Sequence, residues 1–181
     1  VVSKENLRHQ LLTQRRALSK HDVITKSKTL SSKLIEFDKQ HSYQNYIGYM
    51  ATQNECDLTD FYKWILENNK TLFFPKYEKN GYIIVKIDTL TDLTKGHYNI
   101  LEPKKNNPQL TKVLSETACW LIPGIGFDQQ GHRLGFGKGI YDRLLSQYSG
   151  YKLAVCYDFQ IQPIIPSEKH DITYDQLIIV E

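Results

Sequence analysis

"YIGYMATQNECDLTDFYKWILENNKTLFFP", residues 46–75, decides the fold. Tyr46 to Ala51 is a short apolar run that reads as a strand. Asp57 is placed to cap a helix carrying Leu58, Phe61, Trp64 and Ile65 on one side. "TLFFP", residues 71–75, is a second strand stopped by Pro75. Strand, helix and strand at this spacing make a βαβ unit, which implies parallel strands and a right-handed crossover.

Upstream, Leu7, Leu11 and Leu12, with Lys4, Arg8, Arg15 and Arg16 between them, predict an N-terminal helix. Ser19 and Asp22 resemble a capping box opening a second helix, with Val23, Leu30 and Leu34 turned inward. Downstream, "GYIIVKI" (81–87) is a strand, a polar stretch through Asn106 and Asn107 is a surface loop, and "ACWLIPG" (118–124) is a buried strand. A helix from about Gly139 carries Ile140, Tyr141, Leu144, Leu145 and Tyr148 as a stripe, and "KLAVCY" and "QLIIV" are the last two strands. With no repeat, low-complexity tract or linker, residues 1–181 read as a single three-layer α/β domain, a mostly parallel sheet covered by helices on both faces.

The bulk chemistry narrows the partners. Among 181 residues, 40% are hydrophobic and 24% charged, the balance of a globular chain with a real core. A net charge of +3 suits an anionic small ligand but not nucleic acid without a clustered basic face. No run approaches the roughly 20 apolar residues that span a bilayer, and "VVSKENLRHQ" lacks the apolar core of a secretory signal. Cys56, Cys119 and Cys156 form no C-x-x-C pair, so neither a disulfide framework nor a thiolate zinc site is indicated. Cys119 and Cys156 should pack as small hydrophobes. A cytoplasmic monomer acting on small molecules is expected.

"GHRLGFGKGIYDRLL", residues 131–145, lies between the buried strand and its helix, where ligands collect in open α/β sheets. Gly135, Gly137 and Gly139 let the backbone curl and approach a ligand, while Arg133 offers a fork of donors and Lys138 a point charge. Asp142 falls in the first helical turn, where an acid can help hold magnesium. The spacing is neither a Walker A loop, because His132 stands where its first glycine belongs, nor the dinucleotide fingerprint, whose third glycine would fall on Ile140. By physics alone, a phosphate cradle competes with a tight structural turn.

The stretch "PGIGFDQQGHRLGFGKGIYDRLL" resembles the signature of the 5-formyltetrahydrofolate cyclo-ligases, or methenyltetrahydrofolate synthetases. The match runs through Pro123, Gly124, Phe127, Asp128, Gly131, Arg133, Leu134, Gly135, Gly137, Gly139, Tyr141 and Asp142. "SKENLRHQLLTQRRALS", "MATQNECD", "FFPKY", "YNILEP" and "IPSEKHDITYDQLI" extend the likeness almost end to end. The resemblance implies ATP- and magnesium-dependent conversion of 5-formyltetrahydrofolate, with its polyglutamates as further candidates, to 5,10-methenyltetrahydrofolate, releasing ADP and phosphate. It further implies ATP binding by Lys4, Arg8, Arg133, Leu134, Gly135, Phe136, Gly137, Lys138, Gly139, Ile140 and Tyr141. Met50 and Glu55 would join Phe136 to Ile140 at the folate, and Asp142 and Asp171 would hold Mg²⁺. Arg133, Lys138 and Tyr141 are the implied catalytic residues.

On spacing alone, Lys4 and Arg8 make a solvated helix face, Glu55 a loop carboxylate and Met50 a core side chain. Asp175, His132 and His170 receive no role. Phe136 stands where the family often has arginine, and Asn99 where many bacterial members have glycine, a change that asparagine's tolerance of left-handed backbone softens. Two other classes remain: a non-catalytic nucleotide or folate binder, and a sugar-phosphate isomerase-like enzyme on a similar scaffold.

Overall fold

A computed structural model describes residues 3–79, 81–104, 107–168 and 171–181. Two helices open it, α1 (Lys4–Ala17) and α2 (Lys20–His41). The βαβ unit follows as β1 (Asn45–Ile47), α3 (Thr59–Glu67) and β2 (Thr71–Glu78), then β3 (Gly81–Ile87) and a small hairpin of β4 (Leu93–Lys95) and β5 (Leu101–Pro103). After the short α4 (Lys112–Glu116) come β6 (Ala118–Ile122), the ribbon β7 (Gly126–Phe127) and β8 (Arg133–Leu134), α5 (Ile140–Gln147), β9 (Tyr151–Tyr157) and β10 (Gln176–Val180).

The main sheet has the order β10-β9-β6-β1-β2-β3, parallel except where β3 returns antiparallel along β2. Strand alternation sends successive residues to opposite faces, and each face finds its own helices. Tyr46, Leu72, Phe74, Cys119 and Leu121 pack beneath Leu30, Leu34 and Phe37 of α2 and Phe61 and Ile65 of α3. Their neighbours Ile47, Phe73, Trp120 and Ile122 turn the other way, onto Leu144 of α5. This is the three-layer α/β arrangement the pattern predicts.

The helix starts follow local chemistry. Ser19 Oγ accepts the Asp22 amide at 3.0 Å, as the predicted cap requires, and Leu30 and Leu34 are fully buried while Val23 is half-buried. Asp57 Oδ1 accepts the Thr59 amide at 2.9 Å, so it does satisfy the start of α3, although the capping position itself is Leu58, one residue later than expected.

Two strand limits differ from the sequence reading. The first strand ends at Ile47 rather than Ala51, and Tyr49 to Glu55 become the loop at its carboxyl end. Pro75 does not stop β2, which runs on to Glu78. Parallel pairing with β1 covers only Thr71 to Phe73, so beyond it β2 has β3 as its strand partner, and proline is tolerated as on an edge. Asn107 does lie between elements, its Nδ2 donating to the Lys86 carbonyl at 2.9 Å; Asn106 and His170 fall outside the described residues. The three cysteines are buried and unpaired, and burial pushes the Cys56 thiol up to about 12. Among the described residues no helix is long and apolar enough to cross a membrane.

Candidate active site

The carboxyl ends of β1, β2 and β6 open into a cavity of about 850 Å³. Its lining draws Lys4 and Arg8 from α1, Met50 and Glu55 from the loop after β1, Arg133 to Asp142 from the glycine-rich segment, and Asp171 from the last loop. Every site residue that the sequence singles out therefore borders one space, at the place where open α/β sheets collect ligands.

The glycine-rich segment takes its shape from a buried acid. Asp128 is fully buried; its Oδ1 accepts the amides of Gln130 and His132, both at 3.0 Å, and its Oδ2 accepts the Ile165 amide at 2.8 Å. Burial alone would raise this carboxyl, but the hydrogen bonds from Ile165, His132 and Gln130 outweigh it and hold Asp128 below the usual carboxylate range. His132 Nδ1 sits 3.0 Å from Asp128 Oδ2, which gives that histidine a structural place behind the bend. The ribbon of β7 and β8 then delivers Gly135 to Gly139 into the cavity. Gly137 and Gly139 have φ of +86° and +61°, a left-handed backbone that side chains rarely adopt.

The cations and acids stand in pairs. Lys4 Nζ is 2.9 Å from Asp171 Oδ2, and Arg133 Nη2 is 3.5 Å from Asp142 Oδ1. Asp142 Oδ1 also accepts the Ile172 amide at 3.4 Å, which ties the Asp171 segment to the start of α5. Arg8 Nε donates to the Gly135 carbonyl at 2.8 Å, clamping the glycine bend from above. Lys138 is exposed, its Nζ 3.5 Å from the centre of the Tyr98 ring on the β4–β5 hairpin. The Arg133 guanidinium lies 5.4 Å over the Tyr141 ring, which is half-buried and packed against both core faces.

Glu55 is 7% exposed, its Oε2 accepting the Thr52 amide at 3.0 Å and its Oε1 3.6 Å from Arg15 Nη1. Burial raises its carboxyl above the ordinary range, with Arg15 and the Thr52 bonds opposing. Asn99 adopts φ +60°, the left-handed backbone expected where family members carry glycine, and Tyr98 beside it has φ +55°. Asp175 binds the Lys152 amide at 2.7 Å and takes no part in the cavity lining.

Sequence reasoning missed the cavity-lining Tyr82, Tyr98 and Glu102 and, above all, the buried Arg15. Arg15 is 2% exposed, not solvated. The signal was its spacing: Lys4, Arg8, Leu11 and Arg15 fall on one face of α1, and that whole face turns inward.

A mostly parallel α/β sheet whose strand ends open onto a glycine-lined, cation-bearing cavity belongs to the class of α/β proteins that take ligands beyond the strand ends. More particularly, the chain belongs to the 5-formyltetrahydrofolate cyclo-ligase family, whose model matches residues 1–180. It is 30% identical to the mouse 5-formyltetrahydrofolate cyclo-ligase over 97% of this chain and 93% of that one, and 30% identical to the Mycoplasma pneumoniae enzyme over 98% of each. The solution structure of the Aquifex aeolicus 5,10-methenyltetrahydrofolate synthetase superposes with a TM-score of 0.86 at 31% identity, covering 97% of this chain and 89% of that one. The Mycoplasma pneumoniae synthetase structure gives 0.79 at 25% identity over 98% of each.

Proposed function

We propose that this chain converts 5-formyltetrahydrofolate to 5,10-methenyltetrahydrofolate with ATP, releasing ADP and phosphate. The observation that carries the reading is the single cavity in which the glycine bend, Lys138, Arg133, Glu55 and the two acids Asp142 and Asp171 meet.

A formamide carbon is a poor electrophile and its oxygen cannot leave as oxide. Transfer of the γ-phosphoryl to the formyl oxygen forms a P–O bond there, breaks the bond to the β-phosphate and frees ADP. The folate's N10 then attacks the formyl carbon, the C–O bond to phosphate breaks, and the N10 proton is lost as the ring closes. Such transfer asks the protein for positioning and charge neutralisation. The backbone amides of Gly135 to Gly139, Lys138 and the Arg133 fork would supply both, with Lys4 and Arg8 adding charge from α1 and Tyr141 completing the wall. Glu55 and Met50, which border the same cavity, would hold the folate beside the transferred phosphoryl.

Mg²⁺ fits the donor set. Asp142 and Asp171 are hard oxygen donors bordering the same cavity, and two carboxylates suffice when phosphate oxygens and water complete the shell. Bound there, the ion would supply charge neutralisation for the triphosphate. Lys4 pairs with Asp171 and Arg133 with Asp142, so the acids that would hold the ion also position two of the cations.

The decisive assay mixes the protein with 5-formyltetrahydrofolate, Mg²⁺ and ATP and follows the methenyl chromophore. Product that forms only with ATP supports the reading; a folded sample that gives none overturns it, and phosphate release without folate would favour a plain ATPase or another enzyme on this scaffold.

A further inference from the structure

Arg15 sits where α1 meets three other segments. Its Nε donates to the Gln53 carbonyl at 3.0 Å and its Nη1 to the Gly124 carbonyl at 3.1 Å, with Glu55 Oε1 3.6 Å from the same nitrogen. The ring of Phe136, 44% exposed and part of the cavity wall, lies 5.6 Å from its guanidinium carbon. Nη2 is buried without a hydrogen-bond partner among the described residues. A buried guanidinium is costly, and an apolar side chain of similar bulk often serves stability as well or better. Its geometry is more informative: a planar fork holds two loop carbonyls and presents its charge to one carboxylate.

We propose that Arg15 is a positioning residue for the substrate step, fixing the Glu55 carboxylate relative to the glycine-rich bend through its bonds to Gln53 and Gly124 and its contact with Phe136. The inference rests on the reading of Glu55 as a folate-binding group. Gln53 and Glu55 share the loop after β1, and Gly124 follows β6, so the fork joins the proposed folate side to the strand that feeds the nucleotide bend. Phe136, on the cavity wall, lies over the Arg15 guanidinium.

The test is a double-mutant cycle on the full chain, using Arg15→Met and Glu55→Gln, read as KM and kcat for 5-formyltetrahydrofolate and, separately, for ATP. Arg15→Met is expected to raise the folate KM about tenfold, in the range of coupling between contacting residues, while the ATP KM moves less than about threefold. In the Glu55→Gln background the same change should add less than about twofold, because Arg15 acts through Glu55. Effects that multiply, or an equal loss for ATP and folate, would overturn the proposal. Should Arg15→Met not fold, Arg15→Lys carries the test: it keeps the charge but cannot reach both carbonyls and Glu55, so its folate KM should stay raised, and a wild-type value refutes the fork. Absence of turnover in the wild-type protein would strike the functional reading instead, before either variant is made.

Discussion

Lys138→Ala is expected to lower turnover about 10²–10³-fold, the usual loss when one preorganised contact to a developing charge is removed, with the melting temperature shifted by less than about 2 °C. The two halves of this expectation have separate causes. Lys138 is exposed and its ammonium touches the Tyr98 ring, with no ion pair among the described residues to lose. Its backbone carbonyl accepts Arg143 Nη1 at 2.8 Å, a bond that alanine keeps. Stability therefore has little to lose. Turnover has much to lose on the proposed function, in which Lys138, the one ammonium carried by the glycine bend itself, neutralises the triphosphate. A stopped assay of kcat beside a thermal melt checks both; wild-type turnover would remove Lys138 from the phosphate site.

Asp128→Ala should instead act through stability, costing about 3–4 kcal/mol and roughly 10 °C in melting temperature for a domain of this size. The substitution leaves the amides of Gln130, His132 and Ile165 without their acceptor inside the protein. It also frees the bend that delivers Gly135 to Gly139, so activity should fall with stability rather than independently of it. The pH dependence has a definite sign. The folded carboxyl lies below its unfolded value near 3.9, so its contribution is fully present above about pH 5 and is lost as the pH falls through the folded value. The gap in melting temperature between wild type and variant should therefore be constant near neutrality and narrow in acid. A gap unchanged down to about pH 2 would show that folding does not hold the Asp128 carboxyl below its unfolded value.

How legible these features were depended on periodicity. The βαβ unit, the buried run from Ala118 and the stripe on α5 are dense apolar patterns, and each became an element close to its expected place. The hairpin of β4 and β5 was invisible because "LTKGHYNILEP" alternates weakly and turns through left-handed Tyr98 and Asn99 rather than a Gly pair. Pro75 misled because strand rules assume two neighbours, whereas β2 beyond Phe73 has one strand partner. The cavity's membership followed from residue types and from family likeness together; spacing alone left Lys4 and Arg8 as solvent cations. Arg15 escaped both, since a charge among leucines normally marks the wet side of a helix, and only the folded partners Gln53, Gly124 and Glu55 reveal that this face is inward.

A crystal structure with a non-hydrolysable ATP analogue and Mg²⁺ bears most directly on the central claim. The account predicts phosphate oxygens within hydrogen-bond reach of the amides between Gly135 and Gly139, Lys138 turned from Tyr98 toward them, and the metal between Asp142 and Asp171. Nucleotide density seated elsewhere, with the glycine bend empty, would contradict it.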